Sequence, residues 1–278
     1  MVATPIGNLA DVSLRALHVL GLADAIACED TRHTQALLRA WGIDRPASQW
    51  LAVHQHNEAH AADAVIARLA AGQRVAYASD AGTPAISDPG ARLVAAVRAA
   101  GFAVVPLPGA SSITAALSVA GVAGGGGFVF AGFLPVKAGE RGAALSALTR
   151  ESRTVVLLEA PHRIEALAES LQSLGERPLT VARELTKQFE QVVTLAASEL
   201  ANWLIGDPQR KRGEFVLVLH PVASVVELAA AERTLSILLA ELPLTTAVRL
   251  TVALTGEKKN AVYQKALSLR QFTGDINI

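Results

Sequence analysis

Short apolar runs alternate with alanine- and leucine-rich amphipathic stretches along most of the chain. The runs that have the length of β-strands lie at 1–4, 24–28, 50–54, 74–79, 102–107, 127–133, 153–159, 178–183, 189–195 and 214–220. Alternation of strands with helices favours an α/β architecture with a mainly parallel sheet in the first half. The run 189–195 follows 178–183 so closely that we expect an antiparallel pair, and therefore a mixed sheet, in the second half.

Four consecutive glycines at 124–127 interrupt this alternation near its middle. Glycines have no side chains to pack and make a natural linker, so we expect a domain boundary there. Beyond Pro221 the pattern is wholly helical, over roughly 224–241, 245–254 and 258–269. Three short helices with basic residues on the last two are typical of a helix-turn-helix unit, although a packed helical tail without function fits the pattern equally well. The sequence thus predicts two α/β domains and a C-terminal helical region, at residues 1–123, 124–221 and 222–278.

Composition limits the class of protein. The formal net charge of the 278 residues is zero, which gives no global support for a nucleic-acid partner. The single cysteine, Cys28, excludes an internal disulfide and a cysteine-cluster zinc site. No apolar stretch reaches the ~18 residues of a membrane span, and the N-terminus lacks the pattern of a signal peptide. We therefore expect a cytoplasmic protein with no membrane partner.

Three loops rich in proline and glycine follow successive strands of the first half. They are residues 4–8 (TPIGN), 79–90 (SDAGTPAISDPG) and 106–114 (PLPGASSIT). Ligands of α/β sheets bind at the carboxyl ends of the strands, so three such loops in one domain favour a shared site. The middle loop has two aspartates and no basic residue, which favours a neutral or cationic ligand over a phosphate. The glycine run precedes a strand, and a P-loop lysine motif is absent, so we exclude NAD and ATP.

Polar residues follow other strands. Segments 29–33 (EDTRH) and 54–58 (HQHNE) end the second and third strands. His54 and His56 could bind a metal ion, but histidine ligands are more often three or four residues apart and a third ligand is not obvious, so hydrogen-bonding roles are favoured. In the second half, Arg163 and Lys187 also follow strands, where each could pair with a neighbouring glutamate or contact a phosphate.

A set of motifs occurs in order across residues 2–219. They are VATPIGNLADVSLRAL, CEDTRHTQALL, HQHNE, SDAGTPAISDPG, PLPGASSITAAL, GFLP, EAPHRI, ARELTK and GEFVLVL. Together they closely resemble the small-subunit ribosomal RNA methyltransferases of the tetrapyrrole-methylase-like superfamily (class III methyltransferases). The tail LPLTTAVRLTVALTGEKKNAVYQKAL resembles the C-terminal helix-turn-helix region of the same proteins.

The resemblance implies a fold of two α/β domains of the tetrapyrrole methylase type, with S-adenosyl-L-methionine bound in the cleft between them. It implies a homodimer that transfers a methyl group to the ribose 2′-hydroxyl of a decoding-centre cytidine in 16S rRNA of the small ribosomal subunit. Cofactor contacts are expected from the three loops and from backbone of the second domain. The loop residues concerned are Pro5, Gly7, Asp80, Ala81, Gly82, Thr83, Pro84, Pro108, Gly109, Ser111, Ile113 and Thr114.

A ribose hydroxyl is a poor nucleophile, so we expect a positioned general base beside the cofactor loops. The candidates are Glu29, Asp30, His54 and Glu58. Expected RNA contacts are Arg32, His33, Arg163, Lys187, Lys258 and Lys259. Two alternatives stay open. A precorrin methyltransferase would share the fold and the cofactor, and a non-catalytic ribosome-assembly factor would use the helical tail without chemistry.

Overall fold

The computed structural model describes residues 1–54, 58–87, 90–122, 126–222 and 225–274. Its strands are β1 Ala25–Cys28, β2 Trp50–Ala52, β3 Val75–Ala78, β4 Phe128–Phe133, β5 Thr154–Glu159, β6 Pro178–Arg183, β7 Gln191–Ala196 and β8 Phe215–Leu219. Its helices are α1 Leu14–Leu22, α2 Thr31–Ala40, α3 Glu58–Ala70, α4 Ala91–Ala99, α5 Ser112–Val119, α6 Ala138–Thr149, α7 Ile164–Leu171, α8 Leu200–Ile205, α9 Val225–Glu241, α10 Leu244–Thr255 and α11 Lys259–Gly274.

The first sheet has three strands in the order β2-β1-β3, and β1 pairs in parallel with both neighbours. All four residues of β1 are buried because helices cover both faces of the sheet. Ile26 packs in the cluster that includes α1 and α2, whereas Ala27 packs in the cluster that includes α3 and α4. The parallel sheet expected in the first half is confirmed.

The prediction of strands at 1–4 and 102–107 is wrong, because these segments pair only through isolated bridges. Val2 lies between β3 and Leu107, with its amide donating to Tyr77 O at 2.7 Å and Met1 O accepting from Leu107 N at 2.8 Å. Pro106 and Pro108 flank Leu107 and cannot donate to a ladder, which limits the pairing to single positions. The two segments still extend the sheet past β3.

The second sheet has five strands in the order β4-β5-β8-β6-β7. Strands β4 and β5 are parallel, and β8 is antiparallel to both β5 and β6. The pair β6–β7 is antiparallel, which confirms the prediction of a mixed sheet. Leu157 faces the large core formed with α6, α7 and α8, whereas Val156 faces a second cluster that contains Ala116 of α5. A helix from the first half thus covers one face of the second sheet.

Strand β4 contains a bulge. Phe130 is paired with Val156 and Gly132 with Leu157, so Ala131 is an extra residue without a partner on β5. Gly132 has φ +62°, a conformation that glycine adopts without the cost that other residues have. After the bulge Phe133 is paired with Leu158, and the two lie on the same face of the sheet as Phe130.

The C-terminal helices α9, α10 and α11 form a core of their own around Leu235, Val248, Val262 and Ala266. Gly256 ends α10 in the left-handed conformation and donates its amide to Val252 O at 3.0 Å. Among the described residues, the helices include none with the length and apolar character needed to span a membrane. The domain boundary expected at residue 124 stays a prediction, since 123–125 lie outside the described residues.

Candidate active site

A cavity of about 440 Å³ lies where the first loops meet the second sheet. The loop after β3 and the start of α5 form one side of it, and the carboxyl ends of β4 and β5 form the other. Because β8 is antiparallel to β5, the beginning of β8 lies at the same edge, and Glu214, Phe215 and Val216 also line the cavity. This is the edge at which α/β sheets bind ligands.

The loop after β3 is held by its own hydrogen bonds and by the N-terminal segment. The Ser79 hydroxyl donates to Gly82 O at 2.9 Å, and the Thr4 hydroxyl donates to Ser79 O at 3.0 Å. Thr4 and Gly82 also exchange two backbone hydrogen bonds of 3.0 Å. Gly82 has φ +77°, which explains why glycine occupies this turn. The two loops therefore form one unit.

The third loop packs against the same unit. The Thr83 hydroxyl donates to Ala110 O at 3.0 Å. At Gly109 a Cβ would lie 2.9 Å from Ala3 Cβ, a distance that leaves no room for a side chain. The proline- and glycine-containing sequences thus allow the three backbones to approach closely.

The predicted cofactor residues divide into two sets. Those that line the cavity are Asp80, Ala81, Gly82, Thr83, Ser111 and Ile113. Those that do not line it are Pro5, Gly7, Pro84, Pro108, Gly109 and Thr114. Residues of the second set support the loops without lining the cavity. Pro84 is buried, and the Thr114 hydroxyl donates to Ser111 O at 3.3 Å. Most of the predicted glycine and proline residues therefore support the backbone of the loops and do not line the cavity.

The charged residues that line the cavity are all carboxylates. They are Glu29, Asp80, Glu159 and Glu214. In the described part of the lining there is no lysine, arginine or histidine. Such a lining favours a ligand with positive charge and disfavours a phosphate.

Sequence reasoning missed Glu159, the last residue of β5. Its side chain is 1% exposed, and its Oε1 accepts from Arg163 Nε at 3.0 Å and from Ala160 N at 2.9 Å. Arg163 also donates to Leu134 O. Arg163 is therefore engaged in an ion pair with a buried carboxylate, which favours the pairing alternative over an RNA contact. A glutamate and an arginine four residues apart at a strand end were the signal in the sequence.

Lys187 is likewise engaged by carboxylates. Its Nζ lies 2.9 Å from Glu184 Oε1 and 2.9 Å from Glu214 Oε2. Burial lowers the pKa of Lys187, but the hydrogen bonds to Glu214 and Glu184 outweigh it and raise that pKa above its ordinary value. A Cβ at Gly7 would overlap Lys187 Cγ, so the first loop lies directly against the aliphatic part of this side chain. Here too the structure favours pairing over a phosphate contact.

Among the candidate bases, Asp30 is the N-cap of α2 and accepts from Arg32 N at 2.8 Å. The backbone N–H and the side chain of Arg32 lower the pKa of Asp30, which makes it a weak base. The Asp30 amide donates to Asp80 Oδ1 at 3.3 Å, and the His33 ring lies 3.2 Å from Asp80 O. Segment 29–33 therefore supports the loop that carries Asp80.

The other candidate bases differ in their position relative to the cavity. Glu29 lines the cavity, whereas His54 is exposed and does not line it. Glu58 begins α3, but its side chain, like all of His56, lies outside the described residues.

Among the described residues there is no group of three or more metal-ligating side chains. Of the expected RNA contacts, the Arg32 side chain is 91% exposed, and His33, Lys258 and Lys259 are exposed.

Residues 1–201 match the family model described as Tetrapyrrole (Corrin/Porphyrin) Methylases, and residues 226–270 match the RsmI C-terminal HTH domain. The chain belongs to the tetrapyrrole methylase family, and its expected α/β fold with a helix-turn-helix region is confirmed. Relatives that are 42–48% identical to it carry the name ribosomal RNA small subunit methyltransferase I. The relative from Neisseria meningitidis serogroup A is 48% identical over 96% of this chain and 92% of its own length. The relative from Escherichia coli O157:H7 is 45% identical over 96% and 93%.

Solved structures with the same fold include uroporphyrin-III C-methyltransferase from Thermus thermophilus complexed with S-adenosylhomocysteine. Its TM-score is 0.53 at 19% identity, and the match covers 79% of this chain and 95% of that one. At this identity the similarity establishes the fold alone.

Proposed function

We propose that the chain is an S-adenosyl-L-methionine-dependent methyltransferase of 16S rRNA that methylates the ribose 2′-hydroxyl of a decoding-centre cytidine in the small ribosomal subunit. The observation that carries the proposal is the carboxylate-lined cavity at the shared edge of the two sheets, in a chain 48% identical to a ribosomal RNA small subunit methyltransferase I. The cytidine and the 2′-hydroxyl come from the family resemblance.

The residues of the cavity suit this cofactor. The cavity has a volume of about 440 Å³, which lies in the range of pockets for small-molecule ligands. The cofactor has a sulfonium, an ammonium and a carboxylate group, and a described lining of carboxylates without basic side chains complements its net positive charge. Residues 80–83, Ser111 and Ile113 would hold it on one side, and residues 158–161 on the other.

When bound, S-adenosyl-L-methionine supplies an electrophilic methyl group. Catalysis of an in-line displacement rests mainly on positioning, which the three interlocked loops provide. Glu29 would accept the proton of the ribose hydroxyl, since it lines the cavity while Asp30 caps α2 and His54 lies outside. Arg32 and His33 would contact RNA beside the cavity, and Lys258 and Lys259 would contact it from the helical region.

Radiolabelled S-adenosyl-L-methionine offered with undermodified small subunits, free 16S rRNA and precorrin tests the proposal. We expect label in the subunit or the rRNA, and digestion followed by mass spectrometry should identify 2′-O-methylcytidine. Label in precorrin alone would establish the tetrapyrrole alternative. Tight RNA binding without any transfer would instead favour a non-catalytic assembly factor.

We also propose a homodimer in the cytoplasm, on the resemblance to the family and on the ribosomal substrate. Light scattering coupled to gel filtration measures the mass of the assembly directly, against 29.0 kDa for one chain.

A further inference from the structure

Two large apolar residues at the cavity are about half exposed. Phe133 is 50% exposed and Ile86 is 51% exposed, and both line the cavity. By contrast, Phe215, the other aromatic residue in the described part of the lining, is 2% exposed and belongs to the core of the second sheet. Phe133 therefore presents an aromatic ring at the mouth of the cavity rather than inside it.

The bulge in β4 is the reason that Phe133 is at the cavity. In a regular strand alternate residues share a face, so Phe133 would share the face of Val129, which packs in the core with α6, α7 and α8. The unpaired Ala131 shifts the alternation by one, and Phe133 is paired with Leu158, which also lines the cavity. Bulges re-aim side chains in this way next to active sites.

The lining gives a substrate RNA little else to bind. In its described part it contains no basic side chain for a phosphate, and Arg163 and Lys187 are held in ion pairs. Proteins recognise unpaired RNA largely by stacking bases on aromatic side chains, which requires an exposed ring and no charge.

We propose that Phe133 is the stacking platform for an unpaired base of the substrate RNA and so positions the adjacent ribose at the cavity. The inference rests on the proposed function and extends it to the residue that positions the substrate. The alternative occupant of the ring is the adenine of the cofactor. A ring with half its surface exposed at the mouth favours the RNA base, because a cofactor in the cavity would lie deeper.

Phe133→Ala is the decisive variant, and Phe128→Ala is its matched control. Phe128 lies on the same strand and is 47% exposed, but it does not line the cavity. From the strength of base–aromatic stacking we expect Phe133→Ala to lower kcat/KM for small subunits roughly 5- to 150-fold. Phe133→Tyr should retain the activity, Phe133→Leu should not, and Phe128→Ala should resemble the wild type. Calorimetric Kd values for S-adenosyl-L-methionine should stay within about twofold of each other, because the ring contacts RNA and not the cofactor.

A binding measurement separates this inference from the proposed activity. An RNA oligonucleotide with a fluorescent cytidine analogue is titrated with protein in the presence of S-adenosylhomocysteine, so methyl transfer is not required. Quenching by the wild type and by Phe128→Ala, but not by Phe133→Ala, would support the stacking role. Equal quenching by all three proteins would overturn it, as would equal activity of Phe133→Leu and the wild type, or weakened cofactor binding in Phe133→Ala. Absence of methylation by the wild type would contradict only the proposed function.

Discussion

At the scale of single residues, the charged side chains around the cavity differ in the groups that they contact. Arg163 and Lys187 follow strands of the second sheet, and each lies next to carboxylates that line the cavity. Their positive charges offset those of Glu159 and Glu214, whereas Asp80 accepts a hydrogen bond of 3.3 Å from the uncharged amide of Asp30. We therefore expect Asp80, on the loop after β3, to attract a cationic ligand.

Asp80→Asn tests that claim. Loss of the carboxylate charge, with the shape of the side chain kept, should weaken cofactor binding about tenfold, the scale of one charged hydrogen bond. The affinity for RNA should change little. Isothermal titration with each ligand measures both, and Asp63→Asn, an exposed aspartate on α3, is the control. A larger loss of RNA affinity than of cofactor affinity would contradict the assignment.

The pair Glu184–Lys187 should give the protein a pH dependence in acid. Burial raises the pKa of Glu184, but Lys187 and the amide of Glu214 lower it below its ordinary value of 4.5. A carboxyl whose pKa is lowered on folding stabilises the native state above its ordinary pKa, and that stabilisation is lost as the pH falls through the lowered one. The free energy of unfolding, measured in urea, should therefore fall more steeply below pH 4.5 in the wild type than in Glu184→Gln. Parallel curves would show that the pair contributes nothing.

At the scale of elements, the loop of residues 4–8 and the segment after β6 form one of the contacts between the two halves. A Cβ added at Gly7 would meet atoms of Leu185, Thr186 and Lys187. Glu184 and Thr186 have φ +51° and +65°, which are uncommon values for residues with side chains. Strain of this kind persists where surrounding contacts hold it, and here it lies next to the cavity.

Gly7→Ala should therefore separate the two segments. Its Cβ would lie 2.8 Å from Thr186 Oγ1 and 3.1 Å from Leu185 O, so a backbone has to move. We expect a lower Tm together with weaker cofactor binding. Gly21→Ala is the control, because its Cβ would meet no atom within 4 Å and its place in α1 favours alanine, so its Tm should rise slightly. Equal Tm values for the two variants would refute the contact.

The elements also show what a sequence can and cannot predict. The parallel and antiparallel pairs could be predicted, because apolar periodicity and short connections determine them. The bridges of Val2 and Leu107 could not, since apolar runs look like strands even where prolines limit the pairing. Nor could the bulge at Ala131, because it is defined by register against β5. Phe133 was missed for that reason, because the face on which it lies depends on its register against β5.

At the scale of the whole molecule, the helical region has a hydrophobic cluster of its own. The core of α9, α10 and α11 is built from residues of these helices alone. The match to the RsmI C-terminal HTH domain covers the same segment, residues 226–270. The α/β part that contains the cavity and the helical region therefore have separate hydrophobic cores. This suits separate roles in cofactor and RNA binding.

Removal of residues 222–278 should separate these roles. We expect the remaining chain to keep its affinity for S-adenosyl-L-methionine, because none of the lining residues that the structure describes lies in the deleted segment. Its affinity for 16S rRNA should fall, and the salt dependence of binding should become shallower as Lys258 and Lys259 are lost. Calorimetry and filter binding at several salt concentrations measure these effects, with circular dichroism to verify folding. Unchanged RNA binding would remove the proposed role of the helices.

The carboxylate lining of the cavity has a consequence for turnover. Methyl transfer converts the sulfonium of the cofactor into a neutral thioether, so the product has one positive charge fewer than the substrate. Even with Glu159 and Glu214 paired to Arg163 and Lys187, a lining that also contains Glu29 and Asp80 attracts the first form more strongly than the second. The site thus favours release of the spent cofactor and its exchange for a fresh one, so the charge of the pocket promotes turnover as well as cofactor binding.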